Sequence, residues 1–267
     1  MGAGKKPIKA LFFDVDGTLV SFKTHSIPTS TIESLKEAKR NGVKIIIATG
    51  RPYFIINNLD EIKPLVDGWI TTNGAHCFIG DKTIYLQAIE SKTVHWILEE
   101  CAMREIPCLV VGTHSLCTHY FNKEANDWFV QLLNIDCQEL SHPLDEVLRQ
   151  PIIQLTTYLP EEQQKEIFPP TNQYLPTRWH PAFNDITSPH ADKGIALEAM
   201  TKALGLSIEE TAAFGDGGND LPMIRKAGIG IAMGNSMPEV QGEADYITSS
   251  VDDDGIKNAL HRFGVIL

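Results

Sequence analysis

Two aspartates one residue apart, Asp14 and Asp16, close an apolar run from Ile8 to Phe13 and are followed at once by Gly17-Thr18. Strand side chains alternate faces, so the pair shares a side only while the backbone stays extended. Gly17 lets the chain turn immediately afterwards. Like charges this close raise each other's pKa unless a cation or hydrogen-bond donors compensate, so the spacing points to a hard metal and an anionic ligand. Taken alone, the segment also reads as a strand ending in an Asp-rich turn. A second acidic cluster, Gly215-Asp216-Gly217-Gly218-Asn219-Asp220, follows the apolar run Thr211 to Phe214. Carboxylate and carbonyl oxygens suit Mg²⁺, which dehydrates reluctantly and takes few protein ligands beside substrate phosphate. No His/Cys group has zinc spacing; His114 and His119 around Cys117 come nearest. Lys193 opens a helical pattern, where the helix dipole disfavours a cation, and makes more sense if an anion shares its site. Thr49-Gly50-Arg51-Pro52 ends another apolar run, and Pro52 fits the first turn of a new helix. A small-residue turn entering a helix N-terminus can bind an anion, with the Thr49 hydroxyl as a further donor; an ordinary loop reads the same way.

The elements that must position these residues form two patterns. Ile8 to Phe13 and Val43 to Ala48 are continuously apolar, as buried parallel strands are. Between them a helix is predicted around Thr31 to Ala38, closed by Asn41-Gly42. Gly68 to Thr72 is a third strand, ending in Asn73-Gly74. Strand, helix, strand, helix, strand implies a doubly wound parallel α/β sheet, with ligands at the carboxyl ends of the strands. That rule gathers Asp14, Asp16, Thr49 and Asn73 on one edge. From His76 to Ile186 the character changes. A hairpin (Cys77 to Ile79, Thr83 to Leu86), helices near Ser91 to Arg104 and Glu124 to Leu133, and short paired strands suggest an α+β insert with an antiparallel sheet. Asp192 then caps a helix from Lys193 to Ala203, and strands at Thr211 to Phe214, Ile229 to Ala232 and Tyr246-Ile247 resume the first pattern. The expected division is a split Rossmann-like core, 1–80 and 187–267, around an inserted α+β domain, 81–186.

Composition bounds the partners. A formal net charge of −11 over 267 residues argues against nucleic acid or an anionic membrane surface. No apolar run is long enough to span a membrane, and the first residues lack the apolar stretch of a signal peptide. Five cysteines without a C-x-x-C pair read as reduced thiols of a cytoplasmic protein.

Asp14-Val15-Asp16-Gly17-Thr18-Leu19 resembles the first motif of the haloacid dehalogenase superfamily of phosphohydrolases. Thr49-Gly50-Arg51, Lys193-Gly194 and the cluster from Gly215 to Asp220 resemble its second, third and fourth motifs, in order. Thr72-Asn73-Gly74-Ala75 and Met233-Gly234-Asn235 are similar to the Cof-type branch, sugar-phosphate phosphatases with a type IIB cap; the insert itself matches only in size and location. The resemblance implies a Mg²⁺-dependent phosphomonoesterase acting on small phosphorylated metabolites such as sugar phosphates. Asp14 is then the nucleophile, and Asp16 the acid and base for leaving group and water. Asp14, the Asp16 carbonyl and Asp216 hold Mg²⁺, with Asp220 as a ligand through water or a support for Lys193. Gly17, Thr49, Gly50, Lys193 and Asn219 hold the phosphoryl oxygens.

Two other readings use similar residues. A phosphohexomutase-like enzyme would return the phosphoryl group to the sugar, and a receiver-like signalling module would merely carry it; the insert and the second aspartate of the first motif speak against the latter. Recognition of the leaving group is expected from the insert, acting as a lid on linkers near Gly74 to Gly80 and Asn184 to His190. Trp179, His180 and Asn184 are the candidates there.

Overall fold

Phe12 and Phe13 point to opposite faces of a strand that is buried on both, and this sets the architecture around them. The computed structural model describes residues 6–133 and 135–267, without the side chains of Leu132, Leu133 and Trp179. In chain order the elements are β1 (Ala10–Phe13), α1 (Thr29–Arg40), β2 (Lys44–Ala48), β3 (Gly68–Thr71), β4 (His76–Ile79) and β5 (Lys82–Leu86). Next come α2 (Ser91–Arg104), β6 (Cys108–Gly112), β7 (Leu116–His119), α3 (Lys123–Leu133), α4 (Leu144–Val147), β8 (Ile152–Thr157), α5 (Glu161–Ile167), β9 (Leu175–His180) and β10 (Phe183–Thr187). The chain ends with α6 (Lys193–Ala203), β11 (Thr211–Gly215), α7 (Leu221–Lys226), β12 (Ile229–Ala232), α8 (Pro238–Glu243), β13 (Tyr246–Ile247) and α9 (Gly255–Arg262).

One sheet runs in the order β13-β12-β11-β1-β2-β3-β4-β5. Its pairs from β13 to β3 are parallel, and β4 and β5 add antiparallel to β3. Leu11 and Phe13 pack with Ile45, Ile47, Ala212 and Phe214 against α1 and α9. Ala10 and Phe12 pack with Ile46, Ile70 and Ala213 against Ala196, Leu197 and Met200 of α6. Helices thus cover both faces of a doubly wound sheet. The rings of Phe13 and Phe214 stack at 4.7 Å, locking β1 to β11 one residue below Asp14 and Gly215. A second, antiparallel sheet has the order β7-β6-β8-β10-β9, and packs Val110, Leu155 and Ile186 against Val94, Ile97 and Cys101 of α2.

The chain divides into two compact units, one running up to Leu86 and resuming at Asp192, the other Gln87–Ala191. The division read from the sequence, at 80/81 and 186/187, therefore needs correction. The hairpin β4–β5 belongs to the first unit, because β3 leaves an open edge and only a 3₁₀ turn, Thr72–Gly74, separates it from β4. The linker expected at Gly74 to Gly80 lies inside that sheet, and the first crossing falls at Leu86. A second correction concerns Pro52. No α-helix follows it: the segment makes two short 3₁₀ turns, Tyr53–Ile55 and Lys63–Leu65. Pro52 is extended, Asn58 is left-handed and Pro64 interrupts further helix. No helix N-terminus of the kind the sequence pattern predicts therefore stands behind Thr49 and Gly50 to attract an anion.

Gly74 joins β3 to the start of α6. Its φ is +95°, and a Cβ would lie 2.5 Å from the Asp192 carbonyl oxygen. Asp192 in turn caps α6, accepting from the Gly194 and Ile195 N–H groups at 2.8 Å each. Gly74→Ala should cost on the order of 2–4 kcal/mol, a left-handed backbone penalty plus a disturbed cap. Denaturant titration checks this; a change below about 0.5 kcal/mol would show that the approach is not tight.

Candidate active site

Four of the parallel strands end in a residue that the sheet then holds at one edge: Asp14 after β1, Thr49 after β2, Thr72 after β3 and Asp216 after β11. Register fixes their heights, since Phe13 pairs with both Ile47 and Phe214. The first residue of α6 completes the group. Lys193 Nζ lies 2.7 Å from Asp14 Oδ1 and 2.6 Å from Asp220 Oδ1, and its side chain is wholly buried. Gly194 lets α6 approach this closely, because a Cβ there would sit 2.5 Å from the Pro222 carbonyl oxygen.

Asp220 has both oxygens engaged. Oδ1 faces Lys193, and Oδ2 accepts from the Asp216 and Gly217 N–H groups at 3.0 Å each. It shapes the loop after β11 as well as pairing the lysine. Asp216 Oδ1 accepts from the Thr18 hydroxyl at 2.9 Å. Carboxylate oxygens of Asp14, Asp216 and Asp220 lie within 4.8 Å of one another.

Charge is out of balance here. Burial, then repulsion from Asp220, Asp216 and Asp16, outweighs the Lys193 ammonium and holds the Asp14 carboxyl well above the usual carboxylate range. Burial and Asp220 push Asp216 up to about 7, against the Thr18 hydrogen bond and Lys193. For Lys193 itself burial favours the neutral amine, but Asp14 and Asp220 together win and raise it above the ordinary lysine value.

Asp16 points to a different partner. Arg51, almost fully buried, grips its carboxylate with two bonds, Nε to Oδ2 at 2.8 Å and one terminal nitrogen to Oδ1 at 2.5 Å. The other terminal nitrogen donates to Asn57 Oδ1 at 2.7 Å. Thr49 Oγ1 accepts from the Arg51 N–H at 3.1 Å, leaving its hydroxyl hydrogen to donate elsewhere. The Asn219 amide donates to Asn73 Oδ1 at 2.9 Å, and Gly50 packs beside the Asn73 side chain. Asn235 Nδ2 donates to the Gly17 carbonyl at 2.8 Å while its Oδ1 accepts from Val251 N–H at 2.9 Å.

The profile of the haloacid dehalogenase-like hydrolases matches residues 11–260. The chain belongs to that family. A solved subclass IIB sugar phosphatase of the superfamily is 42% identical, over 97% of this chain and 100% of the other, with a TM-score of 0.85. A solved superfamily phosphatase from Bacteroides thetaiotaomicron is 33% identical, covering 97% of this chain and 96% of its own, with a TM-score of 0.84. The putative phosphatase YkrA of Bacillus subtilis (strain 168) is 29% identical over 97% of this chain and 98% of its own length. The enzyme is a phosphatase of this superfamily.

In this hydrolase the structure joins Asp14, Lys193, Asp216 and Asp220 directly, with Asp16, Thr49, Gly50 and Asn219 around them. Sequence reading assigned no role to Arg51, Thr18, Asn73 or Asn235. Each stands within a quoted motif, but which carboxylate, carbonyl or amide it meets depends on segments far away in the chain. His180 and Asn184, expected to face the leaving group, are occupied within the second unit. The His180 ring packs between Trp128 and Phe183, and Asn184, fully buried, accepts from the Thr157 hydroxyl at 2.8 Å. The Trp179 side chain lies outside the described residues.

Because the folded state raises the Asp216 pKa to about 7, the contribution of this carboxyl to the stability of the metal-free protein falls as pH rises from about 4 through about 7. Asp216→Asn in chelator should therefore change Tm little near pH 4 and stabilise by on the order of 1–3 kcal/mol at pH 8. Unfolding curves of both proteins at the two pH values test this; an equal effect at both would mean that the carboxylate is not under repulsion.

Proposed function

We propose that the enzyme is a Mg²⁺-dependent phosphomonoesterase acting on small phosphorylated metabolites, sugar phosphates foremost, through a phosphorylated Asp14. The observation that carries this reading is the meeting of Asp14, Asp216 and Asp220 around the buried Lys193 ammonium at the strand ends. The donor set fits a hard cation: it is all oxygen, it carries more negative charge than Lys193 offsets, and two of its carboxyls bind protons unusually well. Asp14, Asp216 and the Asp16 main-chain carbonyl would hold the ion. Asp220, its oxygens already engaged, serves Lys193 instead. A bound Mg²⁺ supplies the positive charge that lets a carboxylate approach a phosphate.

The Asp14 carboxylate attacks phosphorus in line; the ester P–O bond breaks, leaving an aspartyl phosphate and an alcohol. Asp16 gives the departing oxygen its proton, then takes one from the water that attacks the aspartyl phosphate. Inorganic phosphate leaves and Asp14 is restored. Lys193, the Thr49 hydroxyl, the Gly50 N–H group and the Asn219 amide bind phosphoryl oxygens, since orientation and charge stabilisation supply most of the rate in phosphoryl transfer; Gly17, expected among them, instead donates its N–H to the Val20 carbonyl at 2.8 Å. Arg51 is a positioning residue: it holds the Asp16 carboxyl by two bonds, and one of them opens when Asp16 carries the proton. The sugar-phosphate preference is supported by the likeness to the subclass IIB sugar phosphatase. The unit Gln87–Ala191 is proposed as the cap, and a cytoplasmic location belongs to the same reading.

Phosphate release from a panel of phosphomonoesters with added Mg²⁺ tests the proposal. Asp14→Asn should lose roughly a thousandfold or more in kcat while still folding, because the amide keeps the shape but not the nucleophile. Chelator should abolish turnover, with recovery on adding Mg²⁺, and Asp216→Ala should raise the Mg²⁺ concentration for half-maximal rate by about tenfold or more. Substantial turnover by Asp14→Asn refutes the covalent route, and full activity in chelator refutes the metal.

A further inference from the structure

The strand-end carboxylates have an apolar neighbour that phosphoryl transfer does not use. Phe22 is 62% exposed, yet it sits on a turn that is firmly tied. Ser21 N–H donates to Ser26 O at 3.1 Å, and His25 N–H to Ser21 O at 2.9 Å. The buried Ser21 hydroxyl donates to Asp252 Oδ1 at 2.6 Å and accepts from Lys23 N–H at 3.1 Å, while Lys23 Nζ closes on Asp252 Oδ2 at 2.7 Å. An aromatic ring kept in water forgoes about 1.5–3 kcal/mol of burial, and a turn this constrained cannot fold it away.

Its position relative to the site is set by Gly17. With φ at +85°, Gly17 has the Phe22 ring and the Asp216 carboxylate against the place where a side chain would stand; a Cβ there would be 2.6 Å from Phe22 Cε2 and closer still to Asp216 Oδ2. The ring edge and the carboxylate therefore meet across one α-carbon. The bond from Asn235 to the Gly17 carbonyl holds that arrangement. On the loop from the same strand-end cluster, Met237 N–H donates to the Asp216 carbonyl at 3.1 Å, and its side chain is 53% exposed. The Asp216 carboxylate thus has an apolar neighbour in the Phe22 ring, on a turn tied to the strand-end loops.

We propose that Phe22 is a specificity-determining residue, the surface on which a ring-shaped leaving group lies while its phosphoryl group is held by Asp14 and Lys193. The inference rests on the phosphomonoesterase reading and narrows its substrate class to phosphates borne on, or one carbon from, a sugar or aryl ring. An aromatic face attracts polarised C–H groups and other rings. An acyclic polyol phosphate, hydroxylated at every carbon, presents no such face and gains little from it.

The test is kcat/KM for the wild type, Phe22→Ala and Phe22→Trp on a hexose 6-phosphate, an aryl phosphate and glycerol 1-phosphate, with Mg²⁺ present. Phe22→Ala should lose about tenfold on the two ring substrates, about 1.4 kcal/mol, mostly through KM because the contact forms before the transition state. Its loss on glycerol 1-phosphate should be several-fold smaller. Phe22→Trp should restore the ring preference, and Tm should stay within about 2 °C in both variants, as for a largely exposed side chain. An even loss across the three substrates, or a loss that follows a lowered Tm, overturns the inference. A wild-type protein that releases phosphate from none of them fails the phosphomonoesterase reading itself, an outcome seen before any variant is compared.

Discussion

Lys193 carries its ammonium into a space without solvent, 2.7 Å from Asp14 and 2.6 Å from Asp220. Removing ions from water costs several kcal/mol apiece unless the pairing geometry is good, so three distant pieces of chain must arrive together. β1 delivers Asp14, the loop after β11 delivers Asp220, and α6 delivers the lysine at its first residue. Much of the local sequence serves that meeting. Asp192 caps α6, Gly74 admits the Asp192 backbone, and Gly194 lets the helix lie against Pro222. The helix dipole opposes a cation at this end; two carboxylates in direct contact outweigh it.

The same meeting leaves the site short of positive charge. Lys193 offsets Asp220 and part of Asp14, while Asp216 keeps only the Thr18 hydroxyl as a side-chain donor among the described residues. A fold selected for stability alone would place fewer carboxylates here. Excess negative charge at this sheet end costs stability, and stability of this kind is commonly given up for function.

Around the charged centre the side chains hold one another. Arg51 bridges Asp16 and Asn57, Asn219 meets Asn73, and Asn235 spans Gly17 and Val251. All of these bonds but Arg51–Asn57 connect loops that leave different strands. The functional groups therefore stand on loops whose conformation is fixed by partners from neighbouring strands, as preorganised stabilisation of a transition state requires.

The sequence by itself determined the strands, most helices and the inventory of reactive groups. Continuous apolar runs such as Phe12-Phe13 and Ile45-Ile46-Ile47 have one favourable placement, buried on both faces of a parallel sheet, and polar residues directly after them must stand at its edge. Asp192 announced α6 because a cap is a local interaction. Contacts between remote segments were decided only by the tertiary structure. That Lys193 reaches Asp14 across 179 residues, or that Arg51 takes Asp16 rather than a ligand, has no trace in spacing. The hairpin β4–β5 looks alike as part of either unit, and joined the larger sheet because β3 offered an unpaired edge directly beside it. The helix expected after Pro52 failed for a related reason. Pro52 suits a first helical turn, but Asn58 and Pro64 break the segment, and Arg51 at its start is drawn inward to Asp16. Local physics fixes what a segment can be; which partner it meets depends on what the rest of the chain leaves open.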